Sequence, residues 1–243
     1  MFLPSTAEEL KKLGWKQPDI ILVSGDAYID SPFTGVAVIG KVLTAAGYKV
    51  AVISQPDITS GKDIMRLGSP RLYWGVSAGA TDSLVANYTA TGKKRKSCDF
   101  TPGGNNTKRP DRASILYTNL IKRFDTDKKP VVLGGIEASL RRLAHYDMLT
   151  EKIRRQILFD AKADYLIYGM GEFPALELAK CLDRGEPPYS IKGLCHISSV
   201  LPDQAVILPS CESVSADKDA FYTFLKELYN HASSMSQDIL AQE

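Results

Sequence analysis

Three apolar runs in this chain each break into glycine and then at once into polar or acidic residues. Asp19-Ile-Ile-Leu-Val-Ser24 opens onto Gly25-Asp26, and Pro130-Val-Val-Leu133 opens onto Gly134-Gly135-Ile136-Glu137. Asp164-Tyr-Leu-Ile-Tyr168 opens onto Gly169-Met-Gly171-Glu172. A strand that stays apolar along its length is covered on both faces, and helical patterns between such strands indicate a parallel sheet. Ligands of open parallel sheets bind beyond the carboxyl ends of the strands, where glycine lets backbone come close. Asp26, Glu137 and Glu172 are therefore expected to face one crevice.

The chain has 243 residues, enough for one large α/β domain or one domain with an ordered extension. A formal net charge of +2 gives no general pull toward nucleic acid or membrane. The apolar stretches are strand-sized, so no transmembrane helix is expected. The start, Met1-Phe-Leu-Pro-Ser-Thr-Ala-Glu-Glu, lacks the features of a signal peptide. Cys98, Cys181, Cys195 and Cys211 are far apart, which argues against a metal or cluster site. The expectation is a cytoplasmic protein with reduced thiols and no membrane partner.

Along the chain, Thr6-x-x-Glu9 is a capping box for a short helix. A helix from Gly35 to about Ala46 leads to the strand Lys49–Ile53, and the strand Arg71–Val76 follows a short helix near Asp63–Leu67. The segments Thr81–Thr91, Ala113–Phe124, Ile136–His145, Thr150–Ala161 and Glu172–Asp183 read as helical. Residues 92–112 have no periodicity and read as a long loop, partly ordered at best. Past Ile191 come short apolar pieces and a terminal helix over Asp217–Ala232, with Phe221, Phe224, Leu225 and Leu228 on one stripe. The predicted fold is a three-layer, doubly wound parallel sheet of about five strands. Residues 1–190 form the α/β domain, and 191–243 form a small β appendage and an exit helix.

Each candidate site has a functional reading and a plain one. Gly134-Gly135 and the following helix start present backbone N–H groups suited to an anion. On a helix over Ile136–His145, Glu137, Arg141 and His145 share a face, Glu137 pairs with Arg141, and Arg141-Arg142 form a bidentate clamp. The plain reading is a helix with a surface ion pair. Gly25, Asp26, Tyr28 and Asp30 occupy the first strand–helix turn, where Asp26 either contacts a ligand or caps the next segment. Gly169, Gly171 and Glu172 repeat the arrangement, with Glu172 as ligand contact or as a first-turn acid favoured by the dipole. Neither a G-x-G-x-x-G nor a P-loop signature occurs, and no G-x-S-x-G elbow. The basic loop, with Lys93, Lys94, Arg95, Lys96, Lys108, Arg109 and Arg112, either binds RNA or an acidic partner or is simply solvated.

Together, several segments resemble the N-terminal domain of the YgiQ-type radical SAM proteins. They are Met1-Phe-Leu-Pro, Gly25-Asp-Ala-Tyr28, Thr101-Pro-Gly-Gly104, Lys108-Arg-Pro-Asp-Arg112, Gly134–Asp147 and Tyr168-Gly-Met-Gly-Glu172. The resemblance implies a radical SAM core as partner, with a CxxxCxxC motif holding a [4Fe–4S] cluster that cleaves S-adenosylmethionine. None of this chain's cysteines supplies that motif, so no cofactor is expected on this chain alone and no catalytic residue is assigned. The chain is expected to be a split-off or truncated N-terminal part whose crevice serves an unidentified substrate or cofactor. A more distant likeness is to flavodoxin-like, cobalamin-binding domains that precede other radical SAM cores. Where those carry Asp-x-His-x-x-Gly, this chain has Tyr28 in the histidine position, which argues against histidine-ligated cobalamin. The alternative is a stand-alone module that binds RNA or protein through residues 92–112.

Overall fold

The computed structural model describes residues 2–203, 205–233 and 239–242. In chain order the first half comprises α1 (Ala7–Lys12), β1 (Ile20–Ser24), α2 (Gly35–Ala45), β2 (Val50–Ser54), α3 (Gly61–Ile64), β3 (Tyr73–Ser77), α4 (Ser83–Asn87) and α5 (Ala113–Phe124). Then follow β4 (Val131–Gly134), α6 (Gly135–Leu140), β5 (His145–Asp147), β6 (Lys152–Arg154), α7 (Ile157–Ala161), β7 (Tyr165–Ile167) and α8 (Glu172–Arg184). The chain closes with β8 (Leu194–His196), β9 (Val206–Ile207), α9 (Cys211–Ala216), α10 (Lys218–Ser233) and β10 (Leu240–Ala241).

The main sheet has six strands in the order β2-β1-β3-β4-β7-β8. The first five run parallel, as expected, and β8 pairs antiparallel with β7 at the edge. β8 comes from the segment read as part of the appendage, and a short antiparallel strand at the edge of a parallel sheet is a common ending. Side chains alternate between two packed faces. Ile21 and Val23 join Trp74, Tyr117, Ile121 and Leu133 on one side, while Ile20 and Leu22 join Leu43, Val50 and Leu178 on the other. Burial of successive residues on opposite faces explains why these strands read as continuous apolar runs.

The expected helices over Ile136–His145 and Thr150–Ala161 are shorter than the pattern suggested. α6 stops at Leu140, and a β5–β6 hairpin occupies the space before α7. Buried Asp147 holds the hairpin turn, accepting from the Leu149 and Thr150 N–H groups and from Arg112 at 2.5 Å. Those tertiary contacts outweigh helix propensity over so short a stretch.

A third apolar cluster contains Ala144, Leu208, Val214 and Phe224, with Phe221 and Leu228 packed against it. Of the stripe expected on α10, Phe221, Phe224 and Leu228 turn inward, while Leu225 is 45% exposed, a correction to the expectation that the helix packs through Phe221 and Leu225. In the sequence the polar tail Ser233–Glu243 reads as loose. Residues 234–238 and 243 lie outside the described residues, but β10 pairs with β9 and Gln242 donates to the Pro209 carbonyl at 2.9 Å. Phe224→Ala should lower stability to urea by about 3 kcal/mol, whereas Leu225→Ala should change it by less than about 0.5 kcal/mol.

Candidate functional site

β1 has β2 on one side and β3 on the other, so successive connections leave it in opposite directions. The crevice beyond β1 and β3 is the topological switch point, the usual ligand position of such sheets. The exits are level there, since Ser24 pairs with Ser77 and Ser77 with Gly134.

Asp26 lies in this crevice and is almost fully buried. Its carboxylate pairs with Arg109, whose side chain has no exposed surface, and it accepts from the Ala80 N–H at 2.6 Å. The backbone is shaped around that carboxylate. Gly79 has φ +115°, and a Cβ there would lie 2.3 Å from the Asp26 carboxyl group. No other residue fits.

Arg109 arrives from the 92–112 loop, which the sequence reads as partly ordered at best. That loop is tied down: Ala27 N–H donates to the Phe100 carbonyl at 2.9 Å, Gln55 Nε2 donates to Thr101 Oγ1 at 2.7 Å, and Asn87 Nδ2 donates to the Arg109 carbonyl at 3.1 Å. Thr101, Asn106 and Arg109 are buried, while Lys93–Lys96 and Lys108 stay exposed. Residues 92–112 therefore cover the switch point, correcting the expectation of partial order at best. Arg109 is the residue at this centre that the sequence does not single out as an individual. Only its place in Lys108-Arg-Pro-Asp-Arg112 set it apart from other cations of a charge run.

Glu137 also lies at this centre. It accepts from the Ser83 N–H at 2.8 Å and the Ser114 N–H at 3.0 Å, so one carboxylate serves the starts of both α4 and α5. First-turn N–H groups lack partners within their own helix, and the helix dipole favours negative charge there. Glu137 and Tyr117 are close enough to act on the ionisation of Arg109. Burial pulls the Arg109 guanidinium down from its ordinary value and pushes the Tyr117 hydroxyl up.

The remaining predicted residues spread along the rim. Arg141 pairs with Asp82 and reaches Glu137 only at its backbone carbonyl, at 3.3 Å, because α6 ends before it. Arg142 donates to the Ser139 carbonyl at 2.6 Å and lies 4.8 Å over the Tyr168 ring, so the two arginines form no clamp in this structure. His145 sits on β5, off the Glu137 helix face, with Nδ1 3.1 Å from the Leu143 carbonyl. Tyr28 accepts from the Leu3 N–H at 3.2 Å and Asp30 pairs with Lys41 at 2.7 Å. Gly134 and Gly135 make the β4–α6 junction, and Gly169 and Gly171 the β7–α8 turn. Glu172 opens α8, three strand spacings or about 14 Å along the edge from Asp26. The structure thus brings Asp26 and Glu137 together around Arg109 and leaves Glu172 apart. Gly25 sits against the Ala78 carbonyl at the β1 exit.

Removing Asp26 leaves a buried guanidinium without its counter-charge. Asp26→Ala should destabilise the domain by about 3–5 kcal/mol, and Arg109→Met in the same chain should restore much of the loss. Urea unfolding of the single and double variants measures this. His145 gives a pH test. Burial, only partly offset by the Leu143 carbonyl, holds its imidazole below the ordinary 6.5. The unfolded chain takes up this proton first, so stability falls as pH drops from 6.5 toward the depressed folded value. Urea midpoints at neutral and mildly acidic pH should diverge less for His145→Gln than for the parent.

Among the described residues no group of His, Cys, Asp or Glu could hold a metal ion, and no helix is long and apolar enough to cross a membrane. The family described as Radical SAM N-terminal matches residues 2–243. A UPF0313 protein of Thermotoga neapolitana is 56% identical over 229 residues, covering 93% of this chain and 40% of the relative. A second, from Fusobacterium nucleatum, is 52% identical over 229 residues, again covering 40% of that protein. The chain thus spans about two-fifths of the length of these curated relatives. In fold it is similar to the radical S-adenosylmethionine methyltransferase TsrM from Kitasatospora setae, solved with cobalamin and a [4Fe–4S] cluster. That likeness has a TM-score of 0.50 at 18% identity, covering 75% of this chain and 28% of the other. A doubly wound sheet with a loop-covered switch point, matched across its length at this identity, belongs to the radical SAM N-terminal family.

Proposed function

We propose that this chain is the accessory domain of a radical SAM enzyme and that it helps to hold a substrate or cofactor for a catalytic core. The observation that carries this reading is the family match over residues 2–243, in a chain that covers only 40% of its relatives. The core's chemistry needs a [4Fe–4S] cluster and S-adenosylmethionine, and the cysteines of this chain do not fit a cluster. Cys98 lies in the 92–112 loop, Cys181 on α8, Cys195 on β8 and Cys211 on α9. Burial raises the Cys195 thiol to about 11, away from the thiolate a cluster requires.

The chain's own contribution is positional. Arg109 and Asp26 neutralise each other beneath the crevice floor. A ligand would lie above them, between the segments that follow β1, β4 and β7. Tyr28, in the position of a cobalt-ligating histidine, is engaged by the Leu3 N–H, so a corrinoid would bind here without a side-chain ligand from that turn. The RNA reading draws less support, because Arg95, Arg109 and Arg112 are engaged within the fold and leave mainly lysines on the surface.

Anaerobic iron–sulfur reconstitution of this chain should give no stoichiometric cluster and no reductive cleavage of S-adenosylmethionine, while the full-length Thermotoga neapolitana relative should give both. A cluster on the 243-residue chain would overturn the accessory reading.

A further inference from the structure

The carboxyl edge of the sheet carries an apolar rim open to solvent. Ile29 and Phe33 follow β1, Ile136 and Leu140 stand on α6, and Met170 and Phe173 flank the start of α8. Phe33, Met170 and Phe173 are 92%, 80% and 81% exposed. The pieces adjoin one another. The bare Cα of Gly171 lets Ile39 of α2 come to 3.3 Å from where a Cβ would sit, so the β7–α8 turn lies against the helix that begins just after Phe33. Arg142 over Tyr168 ties the end of α6 to the same turn. Exposed apolar groups that adjoin one another mark a candidate interaction surface.

The opposite edge differs. There Arg71 pairs with Asp19 and Asp183, each at 2.5 Å, and Lys122 pairs with Asp164 at 2.6 Å, a set of partly solvated charges that would be costly to bury. At the carboxyl edge, by contrast, the strongest charges are already paired below the surface, as Asp26 with Arg109 and Asp82 with Arg141. A partner seated on the rim desolvates apolar side chains there, while the exposed Lys93, Lys94, Lys96 and Lys108 belong to the neighbouring loop that covers the switch point.

We infer that this rim is the docking surface for the catalytic region that accounts for the three-fifths of the relatives' chains unmatched by this sequence, and that this region meets it with an apolar face. The inference rests on the accessory-domain reading and adds where the core sits. Two observations choose this occupant. The relatives carry a large region outside the present chain, and the rim borders the loop-covered switch point, so a region seated there lies beside the loop over any ligand held at that edge.

Hydrogen exchange on this 243-residue chain and on the full-length Thermotoga neapolitana relative provides the test. Amides equivalent to those of residues 29–36, 135–140 and 170–175 should exchange about tenfold more slowly in the full-length protein, with the segments around Asp19 and Arg71 unchanged. Equal exchange at the rim, or protection confined to the Asp19–Arg71 edge, would overturn the docking surface and leave the accessory reading standing. A cluster on the short chain would overturn the accessory reading and, with it, the docking surface. Sedimentation of the short chain covers the other occupant: a monomer is expected, and a dimer that dissociates on Phe33→Asp with Phe173→Asp would assign the rim to a second copy and overturn the inference.

Discussion

The structure is organised around one desolvated ion pair. Asp26 and Arg109 meet where the sheet changes direction, on segments 83 residues apart in sequence. Neither charge could stand there alone, because an unpaired buried charge costs several kcal/mol. The pair therefore fixes both the turn after β1 and the long loop that carries Arg109. Around it the backbone has little latitude, since Gly79 leaves the Asp26 carboxyl no room beside a side chain and Gly25 abuts the Ala78 carbonyl. What reads as a ligand crevice in the topology is floored by the protein's own charges.

The sheet was legible because both of its faces are buried. Five strands announced themselves as apolar runs, and their helical crossovers forced a parallel order. What failed was local. Glu137, Arg141 and His145 have helical spacing, yet the helix ends at Leu140 and Arg141 turns to Asp82, a residue 59 positions away. The period of a sequence carries no information about such a partner. The inward face of α10 was misjudged by one position for a similar reason, since Leu208 and Val214 decide which of its apolar residues is covered.

The site was legible in outline and not in its chemistry. Asp26 and Glu137 were singled out by their place after strands, and both do lie at the centre. Their partners are backbone N–H groups and an arginine from a loop without periodicity, which no pattern of charges reveals. The loop's basic character drew attention to its lysines, whereas its structural contribution comes from Thr101, Asn106 and Arg109, the polar residues it buries.

Glu137 accepts from the first turns of two helices that flank the 92–112 loop on either side. A carboxylate shared in this way works as a hinge pin. The exit of β4, the start of α4 and the start of α5 cannot move independently without stranding an amide. Any ligand or partner that shifts α6 on its strand therefore pulls both anchors of the loop at once.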